Sequence, residues 1–307
     1  MPWSLADVPD LTGRTALVTG ANSGLGFEIA RALAGRGAHV VMACRNPDKA
    51  ADAARRVNDH AGAGPGSASV MALDLADLAS VRALGARVRD ELDHLDLLAN
   101  NAGLMAVDES RTADGFEMQF GVNHLGHFAL TAELAPVLAA TPGARVVTMA
   151  SMGHRAGRMD LEDPMFERRG YQRWPAYFQS KLANLLFTLE LHHRLRAAGV
   201  DTLALAAHPG LSHTDLGHEG SGWLNRLIEP FGALASQSAA RGAEPFLRAA
   251  TDPGAGSGEY YGPRLMAWGD AVRETPSRRA RDLDDARRLW VLSEALTGTT
   301  FDVTAHA

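Results

Sequence analysis

Cysteine is almost missing from this chain of 307 residues, because Cys44 is the only one, and an internal disulfide is therefore excluded. The sequence also has no run of eighteen or more apolar residues, which a membrane-spanning helix would need. Its first residues lack the basic segment and the apolar stretch of a signal peptide. We therefore expect a cytoplasmic protein without a membrane anchor.

Positive charge is in the minority, with 30 Lys and Arg residues against 36 Asp and Glu. The formal net charge of −6 argues against a general attraction to nucleic acid or to an anionic membrane, so no nucleic-acid partner is expected. One basic cluster near the C-terminus is interleaved with aspartates, and we interpret it as an exposed, salt-bridged helix face. Its members are Arg278, Arg279, Arg281, Arg287 and Arg288, with Asp282, Asp284 and Asp285 between them.

Short apolar runs alternate with longer segments that have helical periodicity. The predicted strands are 15–20, 39–44, 69–74, 95–100, 145–150 and 202–208, and the predicted helices are 27–37, 47–57, 78–92, about 116–138 and about 176–198. This repetition predicts an α/β fold with a doubly wound parallel sheet and helices on both faces. No linker divides the chain, so we expect a single domain over 1–307 with a C-terminal helical extension at 276–307.

The stretch at 211–237 interrupts this alternation. It carries the apolar residues Trp223, Leu224, Leu227, Ile228 and Phe231. An insertion of this kind after a strand end could be a lid over a ligand site. It could equally be a pair of helices that extends the core, and the sequence leaves both interpretations open.

A glycine-rich turn, TGANSGLG, joins the first predicted strand to the first predicted helix and contains Gly20, Gly24 and Gly26. In open α/β sheets this turn is where a dinucleotide pyrophosphate binds, against the N-terminus of the helix. Glycine there permits positive φ and lets phosphates approach the backbone closely. Three glycines alone are a weak signal, since any tight turn can use them, but the strand before and the helix after predict a dinucleotide site.

The glycine-rich turn resembles the TGxxxGxG fingerprint of the short-chain dehydrogenases/reductases, and six other fragments resemble further motifs of that family. The other fragments are LDL at 73–75, NNAG at 100–103, VNHLGHF at 122–128, VVTMAS at 146–151, YFQSK at 177–181, and HPG at 208–210 with Thr214. The resemblance spans about 11–262, and the amino-acid sequences of several fragments are similar to those of the retinol-dehydrogenase-like branch. It implies a Rossmann-type fold and an oxidoreductase that uses a nicotinamide cofactor.

The same resemblance implies a set of cofactor-binding residues. They are Gly20, Asn22, Ser23, Gly24, Leu25, Gly26, Asp74, Leu75, Asn101, Ala102, Gly103, Tyr177, Lys181, Pro209, Gly210 and Thr214. In this reading Asp74 contacts the adenine, and Thr214 lies beside the nicotinamide.

Four polar residues are the candidate catalytic group. Tyr177 and Lys181 are four residues apart and therefore one turn apart on a predicted helix. A free tyrosine has a pKa near 10, and a neighbouring ammonium favours the phenolate, so we predict Tyr177 as the acid/base and Lys181 as the group that lowers its pKa. Ser151 follows a strand end and can hydrogen-bond the substrate oxygen. The resemblance adds a ribose contact for Lys181 and a proton relay for Asn123.

Cofactor choice rests on the end of the second predicted strand. NAD-selecting sites place an acidic residue there, which accepts a hydrogen bond from the ribose 2′-hydroxyl. This chain has the uncharged Cys44 followed by Arg45, and a guanidinium can bind a 2′-phosphate, so the sequence favours NADP(H) over NAD(H). The competing interpretation is that Arg45 is a solvated loop residue.

The predicted partner is a small carbonyl or alcohol substrate, and the apolar content of 211–237 suggests that it is apolar. The alternative class is a catalytically inactive sensor or scaffold with the same fold. No metal site is predicted, because His124 and His127 share a helix face without a third ligand nearby. The resemblance also allows a homodimer or homotetramer through the helices near 116–138 and 176–198.

Overall fold

The computed structural model describes residues 2–211 and 238–302, and these residues contain a single eight-stranded sheet. The strands are β1 (Thr15–Thr19), β2 (His39–Cys44), β3 (Ser67–Ala72), β4 (Leu97–Asn100), β5 (Arg145–Met149), β6 (Leu203–Ala207), β7 (Tyr260–Pro263) and β8 (Ala271–Glu274). Their order is β3-β2-β1-β4-β5-β6-β7-β8. All neighbours pair in parallel except β8, which is antiparallel to β7.

Helices cover both faces of the sheet. One face carries α1 (Gly24–Ala34), α2 (Pro47–Ala61) and α7 (Ala239–Thr251); the other carries α3 (Leu78–Glu91), α5 (Gly126–Ala140), α6 (Arg173–Ala197) and α8 (Leu283–Thr297). A short helix, α4 (Met118–Phe120), leads through a π-helical turn at Gly121–Leu125 into α5. The predicted doubly wound α/β fold is confirmed, and the antiparallel β8 is the departure from a purely parallel sheet.

The core lies in two layers because successive side chains of each strand point to opposite faces. In β1, Leu17 packs with α3, α5, α6 and α8, while Ala16 and Val18 pack with α1, α2 and α7. Every residue of β1 is buried. This burial explains why the strands read as continuous apolar runs instead of an alternating pattern.

The sequence did not predict β7 and β8. Each strand has only four residues, and β7 ends in Gly262 and Pro263, which are unfavourable in strand interiors. Neither strand therefore carries a recognisable periodicity. They form a hairpin at the edge of the sheet, next to β6.

The helix α8 near the C-terminus packs on α5 and α6. Its Trp290 is fully buried, meets Phe128 edge-on at 5.0 Å and stacks on Phe187 at 5.8 Å between ring centroids. On its outer face, Arg287 pairs with Asp284 at 3.4 Å and Arg288 pairs with Asp285 at 3.9 Å. The predicted salt-bridged face is confirmed for these two arginines.

Two sequence predictions concern residues that lie wholly or mostly outside the described ranges. The predicted lid at 211–237 lies outside the described residues, apart from Leu211, and Thr214 lies outside them as well. Among the helices in 2–211 and 238–302, none combines the length and the hydropathy that crossing a bilayer requires.

Candidate active site

The candidate site lies at the carboxyl ends of the strands, around the place where the strand order reverses between β1 and β4. Ligands of open α/β sheets bind at such a reversal. The glycine-rich turn follows β1, the 100–103 segment follows β4, and Ser151 comes two residues after β5. The fold thus brings three separate sequence motifs to one edge of the sheet.

The glycine-rich turn is packed so closely that side chains are excluded from it. Gly20 and Gly24 have φ of +65° and +53°, which favours glycine. A Cβ on Gly26 would lie 2.3 Å from the carbonyl oxygen of Gly20 and 2.6 Å from Nδ2 of Asn101. A Cβ on Gly20 would lie 3.0 Å from Cβ of Ala102. These contacts place Gly20, Gly26, Asn101 and Ala102 side by side.

A hydroxyl that sequence reasoning missed holds this arrangement. Thr19 Oγ1 accepts hydrogen bonds from the backbone N–H groups of Asn101 and Ala102, both at 2.9 Å. The Asn101 amide returns a bond from Nδ2 to the carbonyl oxygen of Thr19 at 2.8 Å. His127 Nε2 lies 3.0 Å from the same hydroxyl. A polar residue at the end of an otherwise apolar strand was the available signal.

The N-terminus of α1 is open to a ligand. Ser23 is its N-cap, but the Ser23 side chain makes no capping hydrogen bond. The first N–H groups of a helix have no partner within the helix, and they bind anions readily. The residues at this turn, with Asn22 and Leu25 beside Ser23 and Gly24, therefore fit a dinucleotide phosphate.

The end of β2 has the uncharged character that the sequence predicted. The Cys44 side chain is buried, and burial raises the pKa of its thiol to about 11, although hydrogen bonds from the backbone of Ala21 and Asn22 act in the opposite direction. The thiol is thus neutral and contacts the glycine-rich turn. Arg45 is exposed and has no hydrogen bond or ion pair to the described residues.

The end of β3 places the predicted adenine-side residues in a tight turn. Asp74 Oδ1 accepts from the backbone N–H of Ala76 at 2.9 Å, and the backbone N–H of Asp74 donates to Ser80 Oγ at 2.9 Å. Leu75 is buried against α5, where a Cβ on Gly126 would come within 2.6 Å of the Leu75 carbonyl oxygen.

Asn123 occupies the π-helical turn that leads into α5. Its Oδ1 accepts from the backbone N–H of Leu104 at 2.7 Å, while Nδ2 donates to the Leu104 carbonyl at 3.0 Å and to Ser180 Oγ at 2.9 Å. A Cβ on Gly103 would lie 3.0 Å from Asn123 Oδ1 and 3.4 Å from Lys181 Nζ. Asn123, Gly103 and Lys181 are therefore neighbours. π-Helical turns are rare in proteins, and those that occur are often found at functional sites.

Ser151 and Tyr177 are neighbours at the end of β5. Ser151 is the N-cap of a 3₁₀ turn at Met152–Arg155, and its Oγ accepts from the backbone N–H of Gly153 at 3.1 Å. Tyr177 lies in the first half of α6 with its side chain buried. Burial raises the pKa of Tyr177, and the hydrogen bond with Ser151 lowers it by less.

Lys181 lies beside Tyr177, and both side chains are buried. Its Nζ is 5.9 Å from the centroid of the Tyr177 ring and donates to the Met149 carbonyl at 3.1 Å. Burial lowers the pKa of Lys181 to about 8. Because desolvation disfavours both charged forms, burial raises the pKa of Tyr177 in the protein itself, and the predicted lowering, which also needs the charge of an oxidised nicotinamide, stays a prediction.

The segment after β6 contributes Pro209 and Gly210 to the same edge of the sheet. Gly210 has φ of +69°, and a Cβ on it would lie 2.4 Å from the Ala267 carbonyl oxygen. Leu211 continues this contact, because its backbone N–H donates to the same carbonyl at 3.0 Å. No group of His, Cys, Asp and Glu in 2–211 and 238–302 is arranged to hold a metal ion.

Known proteins with this sequence pattern and fold are numerous. The family model described as short chain dehydrogenase matches residues 14–224. Human retinol dehydrogenase 13 is 39% identical over 307 aligned residues, which cover 96% of this chain and 87% of the human protein. These matches extend over the glycine-rich turn, Ser151, Tyr177 and Lys181.

Two solved structures give the same result. An uncharacterized protein from Mycobacterium paratuberculosis is 45% identical, with a TM-score of 0.83 over 98% of this chain and all of that chain. The RhlG–NADP active-site complex from Pseudomonas aeruginosa is 26% identical, with a TM-score of 0.64 over 82% of this chain and 95% of that chain. The chain therefore belongs to the short-chain dehydrogenase family and is retinol-dehydrogenase-like.

Proposed function

We propose that the protein is an NADP(H)-dependent oxidoreductase that interconverts a carbonyl and an alcohol by hydride transfer, with an apolar substrate. One observation carries the proposal: Ser151, just past the end of β5, lies beside the buried Tyr177, with Lys181 one helical turn further along α6. Two hydroxyl-bearing side chains that are neighbours at a strand end can both reach one substrate oxygen. Family membership supports the oxidoreductase class.

Proton transfer is the step assigned to Tyr177. A nicotinamide, when bound, would supply or accept the hydride and, in its oxidised form, would add a positive charge to the site. In the reduction direction the neutral phenol of Tyr177 donates its proton to the oxygen that becomes the alcohol. A raised pKa keeps Tyr177 protonated near neutral pH, which suits an acid. In the oxidation direction the phenolate oxygen of Tyr177 accepts the proton from the alcohol.

Ser151, Lys181 and Asn123 support that step. The Ser151 hydroxyl donates to the substrate oxygen and stabilises the charge that develops on it. Lys181, held by its bond to the Met149 carbonyl, contacts the ribose and favours the phenolate once the site is charged. Asn123 is hydrogen-bonded to the Leu104 backbone and to Ser180, and it lies next to Lys181 across Gly103. Its role as a proton relay is part of the proposal.

The choice of NADP(H) rests on Arg45 and Cys44. The exposed guanidinium has no described protein partner, so it can bind a 2′-phosphate, and the neutral thiol does not repel one. The RhlG structure, a relative at 26% identity, is a complex with NADP. The carbonyl or alcohol substrate is supported by the name of the human relative, a dehydrogenase of retinol.

A steady-state assay tests the proposal. Oxidation of NADPH is followed with aldehydes and ketones of increasing alkyl length, and NADH is run in parallel. The proposal predicts turnover, a kcat/KM that rises with alkyl length, and a preference for NADPH. Tight NADPH binding without turnover on the whole panel would instead support the sensor or scaffold class.

A further inference from the structure

The 3₁₀ turn after Ser151 contains a histidine that the proposed mechanism does not use. His154 is fully buried. Its Nδ1 lies 2.6 Å from the backbone carbonyl oxygen of Ser151, and its Nε2 accepts a hydrogen bond from the backbone N–H of Ser277 at 3.2 Å. The imidazole therefore joins the Ser151 backbone to Ser277, which lies 123 residues after His154 in the chain.

The two contacts define the tautomer of His154. The Ser277 N–H can only donate, so Nε2 has to be the unprotonated nitrogen. The proton is then on Nδ1, which donates to the Ser151 carbonyl. The pair of bonds requires a neutral imidazole, and burial lowers the pKa of His154 to about 4, so the ring is neutral at physiological pH.

The ring of His154 is held from the other side by a buried tyrosine. Tyr260, on β7, meets the His154 ring edge-on at 5.6 Å and stacks on His208 at 5.3 Å between centroids. Tyr260 and His208 are both almost fully buried. The three rings form a continuous stack from the Ser151 turn to the end of β6.

A second set of hydrogen bonds fixes the far end of this stack. The backbone N–H of Gly210 donates to His208 Nδ1 at 3.2 Å, and His208 Nε2 lies 3.1 Å from Glu274 Oε1 on β8. Glu274 Oε2 is 3.5 Å from an Arg155 guanidinium nitrogen, which returns the connection to the Ser151 turn. A Cβ on Gly262 would lie 2.0 Å from His208 Nε2, so β7 leaves this space to the imidazole.

We propose that His154 is a positioning residue that acts through Ser151. Its Nδ1–H holds the carbonyl oxygen of Ser151 while the backbone of Gly153 holds the Ser151 hydroxyl, and together these two bonds set where that hydroxyl points. The inference rests on the proposed function, because Ser151 needs a defined position only if it binds the reacting oxygen. A histidine that only filled the core would have no such dependence on Ser151.

A double-mutant cycle distinguishes the two roles. His154→Leu, Ser151→Ala and the double variant are compared by kcat for the best carbonyl, by NADPH Kd and by melting temperature. The expected result is a loss of kcat of about tenfold or more for His154→Leu, and less than about twofold in the Ser151→Ala background, because coupled residues are non-additive. NADPH Kd stays within about twofold of wild type. An equal loss of kcat in both backgrounds would overturn the positioning role.

Two further variants complete the comparison. His154→Asn keeps an N–H donor close to the position of Nδ1 and should recover part of the kcat that His154→Leu loses. His192→Leu is the matched control, because His192 is a half-buried histidine on α6 whose Nδ1 lies 2.8 Å from Ser257 Oγ, and it should leave kcat unchanged. If His154→Asn were no better than His154→Leu, the donated bond would not be the reason.

Imidazole nitrogen NMR of the wild-type protein gives a readout that does not depend on turnover or on the folding of a variant. His154 should show a protonated Nδ1 and an unprotonated Nε2 near neutral pH. The opposite tautomer, or a charged ring, would overturn the inference while leaving the proposed function intact. No turnover by the wild-type protein with any carbonyl would instead overturn the proposed function, and the positioning role with it.

Discussion

Around the ends of β1 and β4 the site is built from backbone, whereas around the ends of β5 and β6 it is built from buried polar side chains. In the first region, Gly20 and Gly26 allow two chain segments to touch, and the absent Cβ atoms are the important feature. In the second region, His154 is hydrogen-bonded to the Ser151 backbone and to the distant Ser277, and the buried Tyr177 lies beside Ser151.

The two regions should control different properties of the protein, nucleotide binding in the first and turnover in the second. A steric requirement is local, so a single added methyl group should affect ligand binding and leave the chemistry alone. A buried polar network depends on protonation and on exact bond partners, so its loss should affect proton transfer and pH dependence. Variants in the two regions should therefore separate nucleotide binding from turnover.

Tyr177→Phe gives the largest expected effect, in the polar region. It removes the proton donor and keeps the ring, so kcat should fall by about 10²- to 10⁴-fold while the Kd for NADPH stays close to wild type. Stopped-flow or steady-state kinetics measure the first quantity, and quenching of protein fluorescence measures the second. A variant that retained more than about a tenth of the wild-type kcat would remove Tyr177 from the mechanism.

Gly26→Ala tests the backbone region. The added Cβ would lie 2.3 Å from the Gly20 carbonyl oxygen, and overpacking of this kind costs about 1–3 kcal/mol of folding stability. The clash displaces the glycine-rich turn, so NADPH binding should also weaken. Calorimetric titration measures the change. Gly170→Ala is the control, since no atom lies within 4 Å of a Cβ there. Equal NADPH affinity in the two variants would show that the close approach at Gly26 is unimportant for the nucleotide.

Arg45→Ala tests whether the end of β2, next to the backbone region, selects the cofactor. Loss of a charge-assisted bond should weaken NADPH by about 1.5–3 kcal/mol and leave NADH nearly unchanged. Cys44→Asp combined with Arg45→Ala should invert the preference, because a carboxylate repels the 2′-phosphate. Arg87→Ala, an exposed arginine on α3, controls for net charge. Equal kcat/KM for NADH and NADPH in the wild-type protein would contradict phosphate recognition by Arg45.

Stability should fall in mild acid because of the buried imidazoles. Burial lowers the pKa of His124 to about 3 and of His127 and His154 to about 4. The unfolded chain then binds more protons than the folded protein between pH 4 and 6.5, so unfolding becomes easier as the pH falls through this range. Each imidazole should cost about 1 kcal/mol between pH 6.5 and 5.5.

Urea unfolding at these two pH values measures that loss, and His154→Leu should remove about one third of it if the three imidazoles contribute equally. A free energy of unfolding that did not change between the two pH values would show that the imidazoles are not buried and neutral. An unchanged pH dependence in His154→Leu would show that His154 does not contribute to the loss of stability, without bearing on the other two imidazoles.

The comparison also explains what the sequence could predict. The strands up to β6 and the glycine-rich turn were recognisable because both follow from local requirements, burial on two faces and positive φ. The His154 bridge was not recognisable, because its partner Ser277 is 123 residues away and contributes only a backbone N–H. Thr19 was missed for the same reason, since its partners Asn101 and Ala102 lie on another strand's turn.

What the sequence could not show about Tyr177 has a physical cause of the same kind. Spacing in the sequence placed an ammonium one turn away, but it could not show that both groups are buried or that Lys181 donates to Met149. Desolvation is the largest effect on Tyr177, and it raises the pKa of the phenol. Burial, a tertiary property, decides the direction of the shift.

The most direct test follows the hydride. NADPH that carries deuterium at the transferable position of its dihydronicotinamide ring is incubated with an apolar aldehyde or ketone, and the alcohol is analysed by mass spectrometry and NMR. The account predicts one deuterium on the carbinol carbon with the wild-type protein, and almost none with Tyr177→Phe although that variant still binds NADPH. Binding of NADPH by the wild-type protein with no labelled alcohol from any carbonyl tested would contradict the account.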